Sequence, residues 1–495
     1  MENYAKIKLH KMGRYSLLPL DLDNWFTEST SRYFRRLFGF GKGILIIETL
    51  YDGGWEHAYT PEWHFQRIYR FIKQSTKRDY KSLERRLLRF YVLRHRLKKQ
   101  LPKPTARQIA AMTNRQLASV FAKNKDWAHQ ATVWDQFGWI AEHYWNPLFK
   151  TMLIKKGIKE GSPEYYDVLF ALIKPVEIST TLREKRALLG QAIMIKRKEK
   201  TLTAASRFMA RHYGWMSVSA YGKPWDAQYY HNELSALIKK NIAVLEKEYR
   251  ELVAYRSRRN AAVAQFSKRY HFTPRELQPF IDFGLTLDGR NEAEYLVSYC
   301  GYYVLPLYTE ISKRLYISVD QLRLLYEDEV IAALHGTLDP AVLLLERRRF
   351  TGHGYDRAMK KRTILTPRQA EALFKTIEKK VKYVGSDGAT TTGVCASPGV
   401  AVGKAKIVIG PADNHKVKPG DIMISVATMV DHLPAMKKAA AIITEVGSLT
   451  CHAAVVSREF GVPCVVSFPN ATKKFKDGQL VRVNADQGLV EIMKK

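Results

Sequence analysis

Four cysteines in 495 residues (Cys300, Cys395, Cys451 and Cys464) are few, and no two of them stand at CxxC spacing. That excludes a zinc ribbon and a disulfide-stapled secreted scaffold, and it fits a reducing, cytoplasmic setting. Long apolar runs are also missing: nowhere do about 18 apolar residues follow one another. The opening MENYAKIKLHKMGRY is polar where a signal peptide carries its apolar stretch. The expectation is a protein that is neither exported nor held in a membrane. Acidic residues are scarce beside basic ones, 48 Asp and Glu against 80 Lys and Arg, which leaves a net charge of +32. In general such a balance invites nucleic acid, anionic lipid or phosphorylated partners. Apolar residues are plentiful, at 46% with 12% aromatic, so sizeable cores are within reach and wholesale disorder is excluded. The length suggests two to four domains.

The charge is unevenly spread. Residues 386–495 hold 13 Lys and Arg against 9 Asp and Glu, so +28 of the net charge belongs to residues 1–385. Residues 1–62 read as a short mixed α/β segment, with the β-branched run and Gly-Gly turn of a hairpin in GKGILIIETLYDGGWEHAYT. Residues 63–380 read as a basic, mainly helical domain. Stretches such as KSLERRLLRFYVLRHRLKK repeat apolar residues every three to four positions with little Gly or Pro. GSDGATTTG then marks a flexible linker over 381–392. Short apolar strands separated by turns (AKIVIG, DIMISVA, AAIITEV, PCVVSF, LVRVNA, GLVEIM) make 393–495 a small β-rich α/β domain. The fold class is therefore multidomain α + α/β, with a large helical region ahead of a small α/β unit.

The chemistry concentrates in TEVGSLTCHAAVVSREFGVPCVV. A buried strand runs into a turn at Gly447 and Ser448. Thr450 is placed to cap a helix from about Cys451 to Phe460, which Gly461 and Pro463 end. His452 then sits in the first turn, where free backbone N–H groups favour an anion and disfavour imidazolium. A neutral imidazole there suits nucleophilic attack on phosphorus, holding the group as a labile phosphoramidate and passing it on. A histidine at a helix start also serves structure alone, and the local physics leaves both readings standing. Glu445 beside the loop is placed to orient a proton or a metal-bound phosphate, or is simply solvated. Arg458, six residues past His452, lies about 240° around the helix, where it suits the C-terminal carbonyls. Cys451 and His452, being adjacent and without further ligands at metal spacing, make a poor zinc pair, so no metal is expected. The tryptophans of WAHQATVWDQFGWIAEHYW form a stripe that suits either a packed core or an aromatic pocket, and core is the expectation.

From GVCASPGVAVGKAKIV through KPGDIMISVATMVDHLPAMKKAAAIITEVGSLTCHAAVVSREFGVPCVV to NATKKFKDGQLVRVNADQGLVEI, the chain resembles the mobile, swivelling phosphohistidine domain of phosphoenolpyruvate-utilising enzymes. That family includes phosphoenolpyruvate synthase, pyruvate phosphate dikinase and rifampin phosphotransferase. The resemblance implies that His452 is the phosphoryl carrier, that Thr450, Cys451, Ala453 and Ala454 match its flanks, that Arg458 matches a recurrent arginine of the motif, and that Gly447 and Ser448 form the loop before the helix. Ser448 stands where the family usually has a second glycine. The helical stretch NEAEYLVSYCGYYVLPLYTEISKRLY is similar, more loosely, to the region ahead of this domain in synthase-like members.

Neither an ATP-grasp nucleotide-binding domain nor a phosphoenolpyruvate barrel is legible. GFGKGILII, with Gly39, Gly41 and Gly43, leads into a strand and lacks the GK[ST] of a phosphate loop. The resemblance then implies the mobile subunit of a split phosphotransferase. ATP and Mg²⁺ are expected on a separate ATP-grasp subunit, no cofactor is expected in this chain, and a small-molecule or other acceptor is expected at the helical domain. Two other readings stay open. In one the basic helical region is a nucleic-acid- or protein-binding module regulated by histidine phosphorylation. In the other the domain is a catalytically retired scaffold.

Overall fold

The computed structural model describes residues 9–15, 28–38, 45–49, 55–78, 82–218, 223–346, 350–356, 361–378 and 392–493. The glycines of GFGKG and all but the last residue of the expected linker lie outside the described residues.

The hairpin expected near residue 50 is present as β2 (Leu45–Thr49) and β3 (Trp55–Pro61), paired antiparallel. It is part of a larger sheet. β1 (Leu9–Tyr15) adds to one edge, and β4 (Phe350–Asp356) with β5 (Lys361–Leu365) to the other, in the order β1-β3-β2-β4-β5. The span 63–380 is therefore interrupted by two strands that return to the N-terminal segment. Gly352 and Gly354 dilute the apolar alternation of β4, which is why it does not read as a strand.

The rest of that span is helical. Its spine is the 41-residue helix Pro274–Arg314, about 60 Å long at 1.5 Å per residue. Thr273 and Glu276 form a reciprocal capping box, with Pro274 at the first helical position. Around the spine pack α1 (Ser82–Gln100), α2 (Asn114–Ala131), α3 (Val133–Lys155) and α4 (Thr180–Lys196), and the spine is hereafter α5. The tryptophan stretch turns a corner at Thr132 between α2 and α3, so its stripe is split over two helices. Trp134 and Trp145 are buried in the main core with Phe137, Phe149, Phe280 and Phe283. Close approach of α3 and α5 depends on two glycines. A Cβ at Gly289 would lie 2.9 Å from the Trp134 ring, and one at Gly138 would lie 3.2 Å from the Arg290 side chain.

The C-terminal domain is a seven-stranded sheet in the order β12-β11-β7-β8-β9-β10-β6. Its centre is parallel: β7 (Val400–Ile407), β8 (Ile422–Ser425), β9 (Ala441–Thr444) and β10 (Cys464–Val466). Strands covered on both faces read as unbroken apolar runs. IMIS, AIIT and CVV are buried at every position. At the edges β6 (Val394–Ser397) pairs antiparallel with β10, and β11 (Leu480–Asn484) lies between β7 and β12 (Leu489–Ile492). Three short or medium helices complete the domain: α6 (Leu433–Met436), α7 (His452–Phe460) and α8 (Ala471–Lys474).

This domain is seated on the helical region. One apolar cluster joins Leu188, Leu189, Ala192 and Tyr295 to Val430, Leu433, Met436, Ala453 and Val456. Lys437, 16% exposed, crosses the seam to the fully buried Glu184 at 3.3 Å, and Glu233 lies 3.7 Å away. Among the described residues no helix is long and apolar enough to cross a membrane.

Candidate active site

Three local features set His452 in place. Gly447 takes φ +144°, a conformation that disfavours a side chain, and a Cβ there would stand 2.9 Å from Cys451 Sγ. The turn closes with the Cys451 N–H donating to the Ser448 carbonyl. Cys451, not Thr450, then caps α7: it is the last extended residue, and its Sγ accepts from the Ala454 N–H at 3.5 Å. The helix begins one residue later than the sequence suggests because the Thr450 hydroxyl is engaged elsewhere, by Arg290 of α5. Gly461 ends the helix in the left-handed conformation, as expected.

The imidazole is only 8% exposed. Its Nδ1 lies 3.1 Å from the Thr428 hydroxyl, and its Nε2 is buried without a hydrogen-bond partner among the described residues. Burial pushes its pKa down to about 3, and His432 and Arg290 add to the effect. The ring is therefore neutral near pH 7. With the proton on Nδ1 and donated to Thr428, Nε2 presents a bare lone pair.

The wall opposite belongs to the helical region. Arg290 is buried and faces three carboxylates: Asp135 at 3.1 Å, Glu142 at 3.8 Å and Glu294 at 3.9 Å. Desolvation opposes its charge, but Asp135, Glu294 and Glu142 outweigh this and raise its pKa, so the guanidinium stays charged. Glu142 has no exposed surface. Burial pushes its pKa up to about 7 against the pull of Arg290, Ser448, Arg458 and the Thr450 N–H. Glu294 is likewise pushed to about 7 by burial and by Asp135. A positive centre held by acids that sit at the edge of protonation is thus set against the loop that carries His452.

The residues singled out from sequence divide into two groups. Gly447, Ser448, Thr450, Cys451 and His452 form one continuous loop and helix start. Arg458 joins them indirectly, donating to the Leu449 carbonyl at 2.6 Å and the Ala396 carbonyl at 2.9 Å. It ties the loop to β6 instead of serving the end of its own helix. Glu445 points away and accepts from the Thr472 N–H at 2.8 Å and from the Thr472 hydroxyl, so it secures the start of α8. Its carboxylate is half-buried and is spent on Thr472. Sequence reasoning missed Thr428, Asp431, His432, Asp135, Glu142 and Arg290. The signals were a Thr and an Asp-His pair in one short loop, TMVDH, and the charged run DGRNEAE inside an otherwise apolar helix.

Residues 417–488 match the family model described as PEP-utilising enzyme, mobile domain. A probable phosphoenolpyruvate synthase of Archaeoglobus fulgidus is 46% identical over 116 residues, 23% of this chain and 15% of that protein. The phosphoenolpyruvate synthase of Pyrococcus furiosus is 49% identical over 98 residues, 20% of this chain and 12% of that protein. An uncharacterized phosphotransferase of Bacillus subtilis, YvkC, is 31% identical over 182 residues, 36% of this chain and 21% of that protein. The matches thus span about a fifth or less of these relatives' lengths. Over residues 417–488 the chain matches the PEP-utilising enzyme mobile domain, and this part of it is similar to phosphoenolpyruvate synthases.

Proposed function

We propose that the chain is the phosphohistidine-carrying subunit of a split phosphotransferase, relaying a phosphoryl group through His452. The single observation that carries this reading is the ring itself: neutral, with Nδ1 beside the Thr428 hydroxyl and Nε2 without a hydrogen-bond partner among the described residues, in the first turn of a helix. The relay uses the tautomer in which Nδ1 donates to Thr428 and Nε2 keeps its lone pair. In the first half-reaction Nε2 attacks a phosphoryl group of ATP held with Mg²⁺ on a partner ATP-grasp protein. A phosphorus–nitrogen bond forms as the bond to the nucleotide breaks. In the second, an acceptor hydroxyl at the helical region takes the group, and the ring leaves as neutral imidazole with its proton still on Nδ1. A ring buried against α5 cannot meet a nucleotide on another protein, so the domain leaves its seat to be charged and returns to deliver.

The test is incubation of the chain with labelled ATP and candidate ATP-grasp partners. The wild type takes up label only with the right partner, and His452→Ala takes up none. Equal labelling of the two, or none with any partner, rejects the reading.

A further inference from the structure

A second imidazole sits at the same seam and has no part in the relay as described. His432 ends the single helical turn Val430–His432, all three residues of which are buried. That turn packs on Gly214–Val218 of the helical region, so His432 lies where the two parts of the chain meet. Its Nδ1 is 2.8 Å from Asp431 Oδ1, both side chains being at most 5% exposed, and its Nε2 is buried with no hydrogen-bond partner among the described residues. The Met429 N–H donates to the same Nδ1 at 3.2 Å, so this nitrogen accepts from Met429 in one tautomer and donates to Asp431 in the other. In the tautomer that serves the shorter contact, to the carboxylate, the proton is on Nδ1 and Nε2 is a lone-pair acceptor. Thr428, four residues earlier in the same loop, holds His452, and His432 is near enough to disfavour a charge on that ring.

We propose that His432 is the general base of the delivery step, with Asp431 as its positioning residue. This rests on the relay reading above. When an acceptor hydroxyl attacks the phosphorus on His452, an oxygen–phosphorus bond forms and the phosphorus–Nε2 bond breaks. The hydroxyl proton passes to His432 Nε2, and the Asp431 carboxylate stabilises the imidazolium that results. His452 recovers its lone pair, so the step consumes no further reagent. The arrangement fits acceptors that carry a hydroxyl.

Few other charges bear on His432. The turn Pro411–Lys416 packs on the same segment and brings Asp413 and Lys416, paired at 2.7 Å, with His415 bonded to the Ala412 carbonyl. Gly214–Val218 and α6 bring no titratable side chain.

The experiment uses the full chain charged at His452 with phosphoramidate, a small phosphoryl donor to imidazoles. Glycerol serves as the hydroxyl probe, and phosphorus NMR follows transfer to glycerol and water. Rates are expressed per charged His452, with the chain unfolded in urea as the uncatalysed reference. We expect wild-type transfer to exceed the reference and to rise with pH. In His432→Gln the rate falls about 100-fold or more and the pH dependence flattens. Asp431→Asn, which leaves the base in place, slows transfer less and shifts the pH profile. A His432→Gln rate and profile equal to wild type, or wild-type loss no faster than from unfolded chain, overturns the proposal and leaves the relay standing. Failure of wild-type His452 to accept phosphate from phosphoramidate or any ATP-grasp partner overturns both.

Discussion

Arg290, on the central helix, donates to the hydroxyl of Thr450, two residues before His452. One residue thus links the core of the helical region to the loop that carries the reactive ring. Its charge is balanced by Asp135, Glu142 and Glu294. Removing it, as in Arg290→Met, leaves these carboxylates facing one another in a poorly solvated space. We expect a loss of about 3–5 kcal/mol in denaturant unfolding, the usual result of orphaning a buried ionic partner. A loss below about 1 kcal/mol would mean that the acids are solvated or protonated throughout.

Lys437 and Glu184 form the other polar link across the seam. Lys437→Met alone leaves a fully buried carboxylate unpaired and favours release of the domain. Lys437→Met with Glu184→Met removes both charges and restores seating, since apolar pairs of similar volume replace buried ion pairs at little cost. Hydrogen exchange at α4 and α6 reads the difference. Faster exchange in the single variant than in the double variant is the expected order, and the reverse order would show that the pair does not hold the seat.

The buried His452 ring makes one contribution to seating that acid removes. The His452 pKa falls from 6.5 to about 3 in the seated state. A base whose pKa is lowered on burial binds fewer protons there than when exposed, so seating is favoured as pH rises. Its contribution is complete above about pH 6.5 and is lost progressively as pH falls toward 3. Glu142 acts in the opposite sense: its pKa, raised to about 7, means that ionisation at higher pH opposes burial. Glu294 and Glu459, also raised to about 7 by burial, act with Glu142, so the part due to His452 is read by difference. Between pH 7 and pH 4 the wild type should lose seating relative to His452→Gln, in which the carboxylates act alone, as followed by hydrogen exchange at α4 and α6. The same pH dependence in both would show that seating does not bury the ring.

Thr428→Val keeps the shape beside His452 but removes the hydroxyl partner of Nδ1. The ring is then free to hold its proton on either nitrogen, and only one tautomer leaves Nε2 nucleophilic. We expect charging of His452 to slow several-fold to about 10-fold with the fold intact, consistent with losing one orienting hydrogen bond of about 1 kcal/mol. Unchanged charging would show that seating alone sets the tautomer.

What the sequence discloses depends on the range of the interaction. The start of α7, the left-handed Gly461 and the apolar strands β8, β9 and β10 are decided by residues adjacent in the chain, and each is legible. Even there the cap moves from Thr450 to Cys451, because Arg290, 160 residues away, engages the threonine. Glu445 and Arg458 lie close to His452 in sequence, yet one serves α8 and the other β6, since strand order and not spacing decides their partners. The acidic ring around Arg290 was unreadable for a similar reason. Buried charges inside a helix look like a solvated face until α3, α5 and the loop before α7 are assembled.

The most direct test of the relay is phosphorus–nitrogen correlation NMR on the ring-labelled chain, charged by ATP with its ATP-grasp partner. We expect one phosphorus bonded to His452 Nε2, with Nδ1 protonated and no signal in His452→Ala. Phosphorus on Nδ1, on any other residue, or on no nitrogen at all would contradict it.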